Sequence, residues 1–357
     1  MAGKQTRTMI QVGTGGFGAY WCQNFLPPNI KDGTIEVVAA VDINEEALQN
    51  AKKHLHLRDD QLYTDAKKAF DENKADFCTV VVPPSRHEQI VDLALKHDMH
   101  ILSEKPIADT LAGSIRIADK VKKAGKKMGV TMSHRFDQDK ITLREELRSG
   151  KHGALDYIIS RFTCFASWGN FSHEIPYTLI FGGAVHHLDI IADLAGAKCD
   201  TIFAQTWAPK RGEHAGDEQG VVVMQMENQT RGFYEAAKHT AIGMNGGTGA
   251  YFRAECEKAT LIISGRRMEK FPYDPDKEWN YPSAGRGEEV PLLQQPKWAN
   301  TWLIEKFVKW LDGDPAMETN VEDNLQSVAL IFAVIESSRS GQPVKVQEFL
   351  AKARAEA

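Results

Sequence analysis

A chain of 357 residues is long for a single hydrophobic core, so two domains are expected. Its 42% hydrophobic and 25% charged residues are those of an ordinary soluble globular protein, and a net charge of −5 gives nucleic acid or an anionic membrane no reason to bind. No apolar run approaches the roughly 18 residues of a membrane span, and the opening Met-Ala-Gly-Lys-Gln-Thr-Arg-Thr lacks a signal-peptide core, so a cytoplasmic protein is expected. The cysteines (Cys22, Cys78, Cys164, Cys199, Cys256) are scattered without a C-x-x-C pair, which argues against a zinc cluster and a disulfide framework.

In chain order, Met9–Val12 is a short apolar strand that runs straight into Gly13-Thr14-Gly15-Gly16-Phe17-Gly18. A helix is predicted to follow through Ala19–Leu26. In this G-x-G-x-x-G turn Gly13 permits the sharp bend, Gly15 lets a pyrophosphate approach the backbone, and Gly18 lets the helix lie close to the sheet. The free N–H groups and positive dipole end of the helix suit phosphate, which puts Gly16 and Phe17 at the same ligand. A Pro27–Gly33 loop precedes a second strand, Ile35–Val41, which ends in Asp42. A carboxylate there can accept hydrogen bonds from a ribose 2′-hydroxyl, and no Arg or Lys occupies the next nine positions to meet a 2′-phosphate. NAD is expected over NADP.

Strand and helix then alternate: a helix over Glu45–Leu55, strand Asp76–Val82 stopped by Pro83-Pro84, helix Ile90–Lys96, strand His100–Ser103, helix Thr110–Ala124 and strand Lys127–Thr131. Parallel strands need such crossovers, so residues 1–131 are read as a doubly wound α/β domain of Rossmann type. Past residue 131 the pattern changes. Helix Lys140–Ser149 leads to longer strands, Leu155–Phe165, Thr201–Trp207, Gly220–Met226, Arg231–Ala236 and Ala259–Ser264. Helices are predicted at Val185–Leu194, Thr301–Leu311 and Glu322–Ser338, the last with a short extended tail after Gly341 and packing back on the first domain. Residues 132–357 therefore read as an α+β domain with a largely antiparallel sheet, for substrate binding and self-association. Phe271–Pro291, rich in Pro, Gly and charge, reads as a surface loop.

Several ordered motifs carry a resemblance. Pro83-Pro84-Ser85-Arg86-His87 is similar to a T-P-x-x-x-H pattern, and Glu104-Lys105-Pro106 is an E-K-P tripeptide at a strand end. Arg135-Phe136 opens the second domain, followed by Ser149-Gly150-Lys151-His152-Gly153, and Phe307–Pro315 and Glu336–Val344 match a C-terminal signature. Together they resemble the Gfo/Idh/MocA oxidoreductases, the group of glucose–fructose oxidoreductase and inositol dehydrogenase, over nearly the whole chain. The resemblance implies NAD contacts from Pro84, His87, Glu104 and Lys105. It also implies a substrate-facing histidine in the G-x-H-x-x-D helix, here Gly183-Ala184-Val185-His186-His187-Leu188-Asp189, with His186 in that role.

Chemistry runs beside the resemblance. Oxidising a secondary alcohol needs a hydride acceptor, a proton acceptor and groups that hold the hydroxyls. Lys105, just past the carboxyl end of a parallel strand, stands where open α/β sheets place ligands, and burial beside a cationic ring would lower its pKa. Lys105 and His186 are thus the candidate catalytic pair. Many members of the family carry an aspartate four residues before that histidine, where this chain has Gly182, so His186 acts alone or Asp189, Glu174, His173 or Tyr177 replaces the carboxylate. Arg135 is read as binding a sugar hydroxyl or bracing Lys105, Trp168 as a stacking face, and His187 and His239 as weaker substrate contacts. No H-x-x-x-H spacing suggests a metal.

The expectation is an NAD-dependent oxidoreductase for a ring hydroxyl of a sugar, glycoside or cyclitol. Redox-neutral chemistry through a keto-sugar, or sensing without turnover, are the alternatives. Consecutive Val221, Val222, Val223 and Met224 predict a sheet buried on both faces, one of them against another subunit in a homodimer or homotetramer.

Overall fold

The computed structural model describes residues 6–164, 177, 180–211, 216–241, 243–245, 249–275 and 287–357. The chain divides into two compact units. The first holds the residues up to Ser133 together with Lys297–Val328 and Ala353–Ala357; the second holds His134–Pro296 and Ala329–Lys352.

The first unit is built on six parallel strands: β1 Arg7–Val12, β2 Ile35–Val41, β3 Leu62–Tyr63, β4 Phe77–Val80, β5 His100–Ser103 and β6 Met128–Val130. They lie in the order β3-β2-β1-β4-β5-β6. The order reverses between β1 and β4, which opens a crevice at their carboxyl ends, the place where a doubly wound sheet takes its ligand. Apolar side chains of β1, β4 and β5, including Met9, Ile10, Phe77, Cys78, Ile101 and Leu102, are fully buried, as strands covered on both faces require. The Pro27–Gly33 stretch is not a loop. Pro27 and Pro28 open helix Leu26–Lys31, which follows the Trp21–Phe25 π turn without a break, so their missing N–H groups fall where the helix is already irregular.

Residues 297–328 complete this unit. Phe307 of helix Ala299–Leu311 packs edge-on against Phe77, with ring centroids 5.3 Å apart. The Val130 amide donates to Thr319 O at 2.8 Å, and Gly129 bridges to Asn320, so the edge strand β6 is covered.

In the second unit, nine strands form one sheet among the described residues: β7 Leu155–Thr163, β8 Cys199–Trp207, β9 Gln219–Met226, β10 Arg231–Ala237, β11 Tyr251–Cys256, β12 Ala259–Ser264, β13 Arg267–Pro272, β14 Glu288–Glu289 and β15 Val344–Lys345. The order is β14-β13-β12-β11-β7-β10-β9-β8-β15, antiparallel throughout except for the pair β7–β10. Phe271 and Pro272 therefore end a strand instead of opening a loop, and β11 and β13 are additional to the strands read from the sequence. The extended tail is likewise shorter than expected, because after β15 the chain forms helix Val346–Glu356.

One face of the nine-stranded sheet carries helix Val185–Ala195 and the second half of helix Val321–Ser340, whose Ser337 and Ser338 hydroxyls accept the Ala204 and Thr206 amides of β8. On this face Ile202, Ala204, Val222, Met224 and Tyr234 are buried. The other face alternates out of it and is open within the chain. Val221 and Val223 are 45% and 43% exposed, with Phe203, Trp207 and Phe233 beside them. The valine run is thus half-buried in one chain, not buried on both sides. No described helix is long and apolar enough to cross a membrane.

Candidate active site

The glycine turn is fixed by close approach. A Cβ on Gly13, whose φ is +88°, would lie 2.0 Å from Val81 O, and one on Gly18 would lie 2.3 Å from Gly13 O. The Gln11 amide, buried under the turn, donates to Gly13 O at 2.7 Å and accepts from the Thr79 hydroxyl at 2.6 Å. Gly15 and Gly16 lead into Phe17, which opens the helical run with half its side chain exposed. Asp42 does more than wait for a ribose. Its Oδ2 accepts the Thr14 and Gly15 amides at 2.7 and 2.8 Å, and its Oδ1 accepts the Asn44 amide at 2.9 Å. One carboxylate therefore ties the end of β2 to the glycine turn. Ile43 beside it is 94% exposed, an apolar neighbour where a cation would be needed to receive a 2′-phosphate. Glycines that only a bare backbone can fill, at the head of a helix and beside that carboxylate, fit a dinucleotide lacking the phosphate.

At the end of β5, Lys105-Pro106 is a cis peptide and Glu104 faces inward. The Glu104 amide donates to Val80 O at 2.8 Å. Its carboxylate accepts the Trp21 indole N–H at 2.9 Å through Oε1 and the Lys105 amide at 3.2 Å through Oε2. Burial pushes the Glu104 carboxyl up, against the Lys105 charge and these hydrogen bonds. Burial pushes the Lys105 ammonium down, against the Glu104 charge. The lysine is therefore depressed in the direction that proton transfer near neutrality requires. Glu104 acts as a brace behind the lysine. Pro84 begins the Pro84–Arg86 turn before helix His87–Lys96. His87, expected to contact the cofactor, is fully buried with its ring nitrogens 2.8 Å from Val82 O and 3.1 Å from Ile107 O. A side chain without surface cannot touch a ligand; it links the Pro83-Pro84 segment to the E-K-P turn instead.

In the second unit, a π turn, Ile180–Ala184, delivers helix Val185–Ala195. His186 stacks on His134 with centroids 4.1 Å apart and planes 14° from parallel. His187 does not share its direction. It is buried, bonded through Nδ1 to the Tyr234 hydroxyl at 2.8 Å, and packs on Phe162. That geometry describes a core histidine rather than a substrate contact. Asp189, one candidate for the substitute carboxylate, is engaged by a cation. Arg135 grips it through Nε at 2.8 Å and Nη2 at 2.5 Å, both residues being buried. Within its own unit Arg135 is accordingly a bracing residue for Asp189. His239, at φ +56°, bonds Glu218 through Nε2 at 2.5 Å, and the same carboxylate holds the buried Lys238 ammonium at 3.1 Å. The Tyr177 hydroxyl accepts from Arg339 at 3.0 Å. Trp168, His173 and Glu174 lie outside the described residues.

Two contributors were missed by sequence reasoning: Trp21 and His134. His134 could have been found, since it adjoins the Arg135-Phe136 pair; no local spacing marks Trp21.

These two halves agree with what known proteins show. The model of the oxidoreductase family's NAD-binding Rossmann fold matches residues 8–132, and that of the family's C-terminal alpha/beta domain matches residues 157–346. The chain belongs to the Gfo/Idh/MocA family and is an NAD-binding oxidoreductase. It is 51% identical over 349 residues to the uncharacterized protein y4oX of Sinorhizobium fredii, covering 97% of each chain. It is 27% identical over 267 residues to the inositol 2-dehydrogenase/D-chiro-inositol 3-dehydrogenase of Lacticaseibacillus casei, covering 70% of this chain and 76% of that one. An oxidoreductase from Agrobacterium radiobacter, solved with NAD+, L-tartaric acid and magnesium, shares the fold with a TM-score of 0.79 at 17% identity, over 96% of this chain and 99% of the other.

Proposed function

We propose that the protein is a cytoplasmic dehydrogenase that oxidises a ring secondary hydroxyl of a sugar, glycoside or cyclitol, with Lys105 and His186 as its proton-handling residues. The observation that carries this reading is the half-buried Lys105 beside the buried Glu104 at the carboxyl end of β5, in a family with inositol dehydrogenase relatives. NAD, when bound, supplies the hydride acceptor. Gly13, Gly15, Gly16, Phe17 and Gly18 hold its pyrophosphate and Asp42 its adenosine ribose, with NAD preferred to NADP. Lys105, depressed by burial, takes or returns the proton of the reacting hydroxyl. His186, set by its stack on His134, shares that work. A polyol panel assayed for NADH formation tests the reading. Turnover of a cyclitol or sugar is expected; uniform silence with intact NAD binding would leave a sensor.

One observation supports a second reading. Gly182 replaces the family aspartate, and Asp189 is occupied by Arg135. A changed set of bases suits redox-neutral chemistry, in which oxidation of one carbon acidifies the neighbouring C–H for elimination, epimerisation or glycosidic cleavage. Co-purified NAD with modified sugar and no net NADH would favour it over plain dehydrogenation.

We further propose that the open sheet face of the second unit pairs with a second copy in a homodimer, or in a tetramer built from it. Phe203, Val223 and Phe233 stand side by side across β8, β9 and β10, an apolar row that a two-fold axis would make self-complementary.

A further inference from the structure

The helix after the glycine turn is irregular where regularity would be easy. Trp21–Phe25 is a π turn, closed by the Leu26 amide donating to Trp21 O five residues back. Such turns insert one residue into a helix and re-aim what precedes them, and they recur at functional sites. Here the side chain at its head is Trp21, fully buried, with Phe25 edge-on at 5.7 Å. Its indole N–H reaches Glu104, 83 residues away in the chain.

We propose that Trp21 is a positioning residue for Lys105: its indole N–H holds Glu104 in place and favours its charged form, and Glu104 in turn keeps the Lys105 amine protonated. An indole N–H can only donate, so it stabilises the carboxylate over the neutral acid. Glu104 is held by Trp21 from the helix and by the Lys105 amide of its own turn, and its charge is one that acts on the Lys105 amine. Weakening the carboxylate's charge removes the force that opposes Lys105 desolvation. The inference deepens the proposed function and rests on it for the importance of Lys105, but its test does not.

Lys105 can be titrated without substrate, by pulse labelling with acetic anhydride across a pH series and peptide mass spectrometry, normalised to exposed Lys123. Trp21→Phe should move the Lys105 midpoint down by on the order of one pH unit, given the strength of a hydrogen bond to a charged group. Glu104→Gln should move it the same way. The double variant should fall no further than Glu104→Gln alone, because the tryptophan acts through the glutamate. An unmoved midpoint in Trp21→Phe, or shifts that add, would overturn the proposal. Should Trp21→Phe fold poorly, benzothienylalanine at position 21 keeps the shape and replaces N–H by sulfur, and the same two outcomes apply. A blank polyol panel alongside a shifted midpoint would discard the substrate reading and leave this one standing.

Discussion

Lys105 shows what can and cannot be read from a sequence one residue at a time. Its place at a strand end, its neighbours Glu104 and Pro106, and the direction of its pKa were legible, because strand ends and burial follow local rules. That Trp21 should brace it was not, since a contact across 83 residues depends on how a helix lies on a sheet. Replacing Lys105 by Ala should lower kcat about 10²–10⁴-fold, the usual range for an acid–base group, a far larger loss than any weakening of NADH binding in a fluorescence titration. The neutral amine is the form that accepts an alcohol proton. Oxidation should therefore rise with pH through a midpoint below the ordinary 10.5 of lysine, and that limb should vanish in Lys105→Ala. Asp42 makes a second residue-scale prediction. Asp42→Ala should erode the preference for NADH over NADPH and loosen the glycine turn whose Thr14 and Gly15 amides it caps. Equal binding of both dinucleotides by the unaltered protein would remove the ribose role from Asp42.

Among the elements, most strands and helices of the first unit were readable because apolar runs alternate with amphipathic ones; the two-residue strand Leu62–Tyr63 and the short helix Ala66–Glu72 were not. The misreadings have physical causes. Pro27-Pro28 signals a break in most contexts, yet here it follows a π turn where the helix is already irregular. β11 and β13 hide because charged residues break their apolar alternation: Arg253 and Glu255 on the less buried phase of β11, and Glu269 and Lys270 on the two phases of β13. Helix Val185–Ala195 was placed correctly, but the partners of His187 and Asp189 were not legible, because periodicity gives a face and not a partner. Arg135 and Asp189 answer each other across that gap. Asp189→Asn should destabilise the protein by about 3–5 kcal/mol in urea melts, the cost of leaving a buried charge without its partner. Arg135→Gln combined with Asp189→Asn should recover part of that loss.

For the molecule as a whole, the run Val221–Met224 carried a true signal with the wrong geometry. Its two phases are apolar, but only one is covered within a chain. If two copies share the open face, light scattering at micromolar concentration should give a multiple of one chain's mass. Val223→Lys, at the centre of the Phe203–Val223–Phe233 row, should reduce it to a single chain without lowering the far-ultraviolet circular dichroism. A monomer in the unaltered protein would refute the pairing. The order of segments was the least legible property, because nothing local announces that residues 297–328 belong with the opening 133.

That discontinuity matters during synthesis. When the ribosome has delivered β1 to β6, the strand Met128–Val130 still lacks the segment that shields it, and Phe77 lacks Phe307. The remaining backbone edge and apolar face stay open while more than a hundred and sixty further residues are made. Gly129, already against Leu102, then receives Met317 and Phe307 so closely that a Cβ there would lie 2.5 Å from the Met317 sulfur. The nucleotide-binding half is begun first and finished late, so its nascent form depends on holding an unsealed edge until the C-terminal third arrives.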